Sequence, residues 1–248
     1  MNTDKNIGIL GYGEVGKAMA SFYGAPYIQD LNGNEFPSDI QLDILHICIP
    51  YISREQFFAA TEKTITAHGK GALVFIHSTV PVGTTARVSE LCKHEFIVHS
   101  PVRGVHPNLA EGIKTFPKYV GSDSAGAGRL AAEHLTKLGI EPFIIHKSEA
   151  SELLKLLDTT YYGLAIAYHA YAQGLCDKNG VNFDMVMTEA NRTYNAGYRK
   201  LGKSNVVRPV LFAPENGKIG GHCVIPNAEI LREQFGNDAL LEAILRHK

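Results

Sequence analysis

Apolar residues occur in short blocks along the first part of the chain, separated by polar, helix-like stretches. An apolar run at 6–10 leads into a glycine-rich turn and reads as a buried strand. A helix is expected over 15–23 and a second strand over 26–30, ending on an acid. Residues 42–49 (LDILHICI) are almost continuously apolar and are closed by Pro50, as suits a parallel strand covered on both faces. Ser53, with Gln56 three residues on, signals a helix start, and that helix should run to about His68. Strands at 73–77, 96–99, 118–120 and 143–145 follow, with helices at 84–93 and 127–138. Strands alternating with helices predict an α/β domain with a mostly parallel sheet.

Near Ser148 the rhythm changes. From 149 to 178 there is no proline, and the leucines and Tyr161 recur at helical spacing. About 30 residues of helix would span roughly 45 Å. Its apolar sides call for cover by another helix or a second subunit. Further helices are expected at 182–191, 227–233 and 237–247. The expected organisation is a Rossmann-type, doubly wound parallel sheet over 1–147. A smaller all-helical domain with one long helix, for dimerisation and substrate, takes up 148–248.

Composition narrows the choices. The net charge of -1 gives no field that would draw the chain to nucleic acid or an acidic membrane. No apolar stretch is long enough to cross a bilayer. The start lacks the basic and apolar segments of a signal peptide. The four cysteines are widely spaced and match no zinc pattern. Reduced thiols in a cytoplasmic protein, with no metal, are expected.

The turn Gly11-Tyr12-Gly13-Glu14-Val15-Gly16 has the G-x-G-x-x-G form between a strand and a helix. Gly11 permits the tight turn, Gly13 lets a pyrophosphate approach the backbone, and Gly16 allows close helix–strand packing. Asp30, about 20 residues on, stands where a carboxylate accepts from ribose hydroxyls, which favours NAD over NADP. Residues 11–16, Asp30, Pro50, Ser78 and Thr79 form the expected cofactor-binding set.

Three later segments carry candidate chemistry. Ser78 and Thr79, in HSTVPVGTT, follow a strand at the end of the sheet where ligands bind; they also fit a helix start after a proline turn. Lys155, in SELLKLL, is either a surface lysine with its stem on apolar neighbours or a partly buried cation for an oxyanion. Cys223, in GKIGGHC, is either a structural cysteine or a thiol acidified by the helix that follows.

In order, GYGEVG, STVPVGTT, SPVRG, SELLKLLDTT and GGHC resemble the motifs of the nucleotide-sugar dehydrogenases, the UDP-glucose and UDP-N-acetylmannosamine dehydrogenases. The resemblance runs from about Ile7 to Leu231. It implies NAD-dependent oxidation of an alcohol of a sugar or sugar-nucleotide-like substrate, in polysaccharide biosynthesis. Cys223 would carry an aldehyde onward to the acid through a thioester, Lys155 would steady the oxyanion, and Thr79 would place the reacting water. Arg103, Thr159, Gly220, Gly221 and His222 would line the substrate site, with Arg192, Arg199 and Arg208 as further candidates for an anionic substrate. A homodimer through the long helix is expected.

Three positions depart from the family pattern. Val102 stands for the glutamate of SPE, Thr159 for an asparagine, and Asn227 for an aspartate. The first oxidation should survive these changes more easily than thioester hydrolysis; His99, His106 and His222 are replacement bases. The family's nucleotide-binding C-terminal domain has no counterpart after Cys223, which leaves a smaller substrate or a partner chain to complete the site. Two alternatives remain open. One is a two-electron enzyme of the β-hydroxyacid dehydrogenase type using Lys155. The other is an inactive NAD-binding protein.

Overall fold

The computed structural model describes residues 5–104, 108–221 and 223–248. The chain divides into two compact units, Met1–Lys155 and Leu156–Lys248, and the division falls inside one long helix.

The first unit is built on a seven-stranded sheet. Its strands are β1 (Ile7–Leu10), β2 (Tyr27–Gln29), β3 (Ile44–Ile47), β4 (Leu73–Ile76), β5 (Ile97–His99), β6 (Lys118–Ser122) and β7 (Pro142–His146). They lie in the order β2-β1-β3-β4-β5-β6-β7, and every pair is parallel except β5 and β6. That exception rests on one register position, His99 opposite Gly121.

Helices cover both faces. On one, Ile7, Ile9, Ile44 and Phe75 pack with α1 (Glu14–Ala20), α4 (Leu109–Thr115) and α5 (Ala125–Lys137). On the other, Leu45, Ile47, Val74 and Ile76 meet α2 (Arg54–His68) and α3 (Thr84–Cys92). Successive strand residues point to opposite faces, so coverage on both sides requires an apolar residue at nearly every position. This explains the near-continuous apolar blocks. The fold is the Rossmann-like α/β fold that the alternating pattern predicts. Helix α4 was not anticipated: LAEGIKT shows only two residues to the core, Leu109 and Ile113, too few for a clear period. Ser53 does cap α2, its hydroxyl accepting from the Gln56 amide.

The long helix α6 covers Ser148–Asn179. The second unit continues with a π-helical turn at Asp184–Glu189, then α7 (Ala190–Lys200), α8 (Val224–Phe235) and α9 (Ala239–Leu245). Helical structure thus runs well past the expected end at 191. Within this unit α6 and α8 approach closely, since a Cβ at Gly163 would lie 2.4 Å from Val224. Ala167, Val224, Ile225, Ala228 and Ile244 form the small core there. Among the described residues no helix is long and apolar enough to cross a membrane, and no His/Cys/Asp/Glu group is arranged to hold a metal. All four cysteines are unpaired.

Candidate functional site

In a doubly wound sheet the strand order reverses where one connection runs left and the next runs right; here that point lies between β1 and β3. The crevice at the carboxyl ends of such strands is where ligands bind. The chain leaves β1 at Gly11 and β3 at Cys48, and the Cys48 amide donates to the Leu10 carbonyl at 2.7 Å.

The three glycines of the turn are required for different reasons. Gly11 has φ +91°, and a Cβ there would lie 2.9 Å from Cys48 and Ile49 backbone atoms. A Cβ at Gly16 would lie 1.9 Å from the Gly11 carbonyl oxygen. These two are fixed by packing and backbone conformation. Gly13 is exposed, and a Cβ there would meet no protein atom within 4 Å. Glu14 sits in the first turn of α1, Val15 and Tyr12 pack partly against the core, and Lys17 lies over the Tyr12 ring.

Asp30 directly follows β2, whose last carbonyl, that of Gln29, accepts from the Gly11 amide at 2.8 Å. Asp30 is half-buried; its amide donates to the Asn34 carbonyl and its carboxylate accepts from Asn32 at 3.3 Å. Pro50 is exposed at the exit of β3.

Beyond β4, Ser78 and Thr79 have different surroundings. Ser78 is buried and its hydroxyl donates to the Ile49 carbonyl at 2.6 Å, joining the exits of β3 and β4. Thr79 is half-buried, and its hydroxyl makes no hydrogen bond among the described residues. Of the pair, Thr79 has the hydroxyl available to a ligand.

Past β5, the peptide Ser100-Pro101-Val102 is held by two lysines. Lys118 is buried, and its ammonium donates to the Ser100 carbonyl at 2.7 Å and the Pro101 carbonyl at 3.0 Å. Lys155, half-buried on α6, donates to the Val102 carbonyl at 3.0 Å. Burial brings Lys118 down to about 7, the nearby Cys48 opposing and Lys155 adding to the shift. Val102 itself belongs to the apolar core. The Arg103 guanidinium lies 5.2 Å from the rings of both Phe116 and Tyr119 and donates to the Tyr119 hydroxyl.

A chain of polar rings, buried at His46 and His77 and half-buried at Tyr23 and His134, runs through the first unit. The Ser100 carbonyl can only accept, so His77 donates to it from Nδ1 at 2.7 Å. His77 Nε2 then accepts from His46 Nδ1 at 2.9 Å. His46 Nε2 accepts from the Tyr23 hydroxyl at 2.8 Å, and Tyr23 accepts from His134 at 2.7 Å. One carbonyl thereby sets every tautomer in the series. Burial holds His46 and His77 well below the usual histidine range and His134 at about 4. His99, expected as a replacement base, is fully buried between Ser151 and the Ser78 carbonyl, and burial takes it to about 3. It is a neutral structural group at ordinary pH. His106 and His222 lie outside the described residues.

In the second unit Cys223 is exposed at the N-cap of α8. One turn on, Asn227 is buried and its Nδ2 has no partner among the described residues. Gly220 and Gly221 are exposed with open space where side chains would be, and Gly221 has φ +83°. Thr159 is half-buried on α6. Arg192 pairs with Glu189, and Arg208 lies over the Tyr194 ring at 3.5 Å. An open groove of about 890 Å³ is flanked by Tyr161, Tyr168, Tyr171, Val186 and Leu240.

Lys118, the histidine series and Glu152 carry no recognisable signal in the sequence. Glu152 lies inside SELLK, but helical spacing alone does not show what a carboxylate meets.

No family model matches the chain. A UDP-N-acetyl-D-mannosamine dehydrogenase of Methanococcus maripaludis is 23% identical over 228 residues, covering 87% of this chain and 50% of that protein. The chain thus spans about half the length of the curated relatives it matches. The solved structure of the UDP-D-ManNAc dehydrogenase from Pyrococcus horikoshii superposes with a TM-score of 0.75 at 18% identity, covering 97% of this chain and 67% of that one. A 3-hydroxyisobutyrate dehydrogenase of Mycobacterium tuberculosis superposes with a TM-score of 0.64 at 14% identity, covering 98% and 91%. In sequence this chain is similar to the UDP-sugar dehydrogenases, and it shares their fold.

Proposed function

We propose that the chain belongs to a NAD-dependent dehydrogenase that oxidises an alcohol of a sugar nucleotide. The observation that carries this reading is the open space at Gly13, at the switch point of the sheet, with Asp30 closing β2 beside it. Gly11 and Gly16 are accounted for by packing; Gly13 is not, and a pyrophosphate against its backbone accounts for it. NAD fits these residues, and when bound it supplies the acceptor for the substrate's hydride. Residues 11–16 would face its phosphates, Asp30 its adenosine ribose, and Pro50, Ser78 and Thr79 its nicotinamide half. The similarity to UDP-N-acetyl-D-mannosamine dehydrogenases supports a sugar nucleotide as substrate.

Lys155 would hold an oxyanion or a proton at the reacting oxygen, and Thr79 would orient substrate or water. Cys223, exposed at the start of α8, would attack an aldehyde. Arg103, Thr159, Gly220, Gly221 and His222 would contribute to substrate binding. The exposed tyrosines 161, 168 and 171 on α6 would be covered by a second copy of the chain, giving a homodimer in the cytoplasm.

A second reading is a two-electron enzyme of the β-hydroxyacid type that uses Lys155 alone. Val102 and Asn227 favour it, because neither side chain can take a proton from the water that must hydrolyse a thioester. The test is NADH formation, read by absorbance, with UDP-N-acetylmannosamine, UDP-glucose and 3-hydroxyisobutyrate. Two NADH per substrate, lost in Cys223→Ala, supports the thioester route. One NADH, retained in Cys223→Ala and lost in Lys155→Ala, supports the second reading. NAD binding without turnover on any substrate leaves a binding protein.

A further inference from the structure

Glu152 is buried at 1% exposure on α6, yet its carboxylate reaches the start of α3. Oε2 accepts from the Gly83 amide at 2.6 Å, and Oε1 accepts from the Thr85 amide at 2.7 Å and the Thr85 hydroxyl at 2.6 Å. Gly83 is the N-cap of α3; it has φ +91° and no side chain with which to cap. A residue far along the sequence therefore does the work of a local cap, placing a carboxyl group at the positive end of the helix.

The other end of the same loop is also fixed. Ser78 donates to the Ile49 carbonyl, and its own carbonyl faces His99 Nε2 at 3.2 Å. His99 is in turn held by Ser151 of α6 at 2.8 Å. Thr79 thus lies between two anchored points, Ser78 in front and Gly83–Thr85 behind. One turn of α6, Ser151 to Lys155, touches the exits of β4 and β5 and the 100–102 peptide.

We propose that Glu152 is a positioning residue, which sets the 78–85 loop and so the Thr79 hydroxyl against the coenzyme. This rests on the NAD-dehydrogenase reading above. Burial raises the Glu152 carboxyl, and the three donors oppose that rise by favouring the charged form. A neutral amide in its place keeps the volume but sets its NH2 against an N–H donor.

The test uses Glu152→Gln, Thr79→Ala and the double variant, each checked for cooperative unfolding. Amide exchange at Gly83 and Thr85 should quicken by about tenfold or more in Glu152→Gln, as expected for loss of a charged acceptor, with 97–103 unchanged. NAD affinity by calorimetry should fall about tenfold in each single variant and no further in the double variant. Additive losses, or unchanged exchange at 83 and 85, overturn the proposal. If Glu152→Gln does not fold, Thr85→Val removes only the hydroxyl bond and should give smaller changes of the same kind. A wild-type chain that binds no NAD while Glu152→Gln quickens exchange overturns the dehydrogenase reading and supports the anchoring.

Discussion

Lys118 and Lys155 hold adjacent stretches of one peptide. The first donates to the carbonyls of Ser100 and Pro101, the second to that of Val102. Strands β5 and β6 meet at one register position, so the Lys118 ammonium supplies much of what a longer ladder would.

The pH dependence of stability should show Lys118. Its folded value is about 7 against an ordinary 10.5. Between these the unfolded chain holds a proton that the folded chain lacks, so stability rises with pH, by at most about 1.4 kcal/mol per unit. The half-buried thiols Cys48 and Cys92, raised to about 12 and 11, act oppositely only above about pH 9. Urea unfolding from pH 7 to 9 should show the rise, and Lys118→Met should abolish it.

Acid should destabilise the first unit early. His46, His77, His99 and His134 are all held below 6.5 by burial. Below that pH the unfolded chain takes up protons that the folded chain refuses, each costing up to about 1.4 kcal/mol per unit. Urea midpoints should fall steeply from pH 6.5 toward pH 5, a loss separate from the Lys118 rise above pH 7. His46→Phe should make the fall shallower.

The two inner glycines should separate fold from ligand. Gly16→Ala places a methyl group 1.9 Å from a backbone oxygen and should cost about 3 kcal/mol of stability. Gly13→Ala meets no protein atom and should leave unfolding nearly unchanged while weakening NAD binding tenfold or more, roughly the loss of a phosphate contact. Thermal unfolding and calorimetry on both variants check the pair.

Asp30→Ala should raise the NAD dissociation constant by about ten- to a hundredfold, the value of hydrogen bonds to a charged acceptor. NADP, with its extra phosphate, should lose much less. Equal losses for the two coenzymes would contradict the ribose contact.

Local patterns are enough for the first unit's strands and most of its helices. Apolar runs such as 73–77 and the G-x-G-x-x-G spacing of residues 11–16 are local patterns, so they are visible in a string. The α4 helix and the extension of α7 to Lys200 were missed because LAEGIKT and ANRTYNAGYRK show few apolar residues at helical spacing. What no string displays is pairing across distance. Lys118 sits in a strand-like segment, His46 and His77 on separate strands, and Glu152 sixty-nine positions from Gly83. Their partners are backbone carbonyls, amides and rings that folding alone brings within hydrogen-bond reach. A buried polar group must find a partner somewhere, but only the tertiary structure decides which one it is.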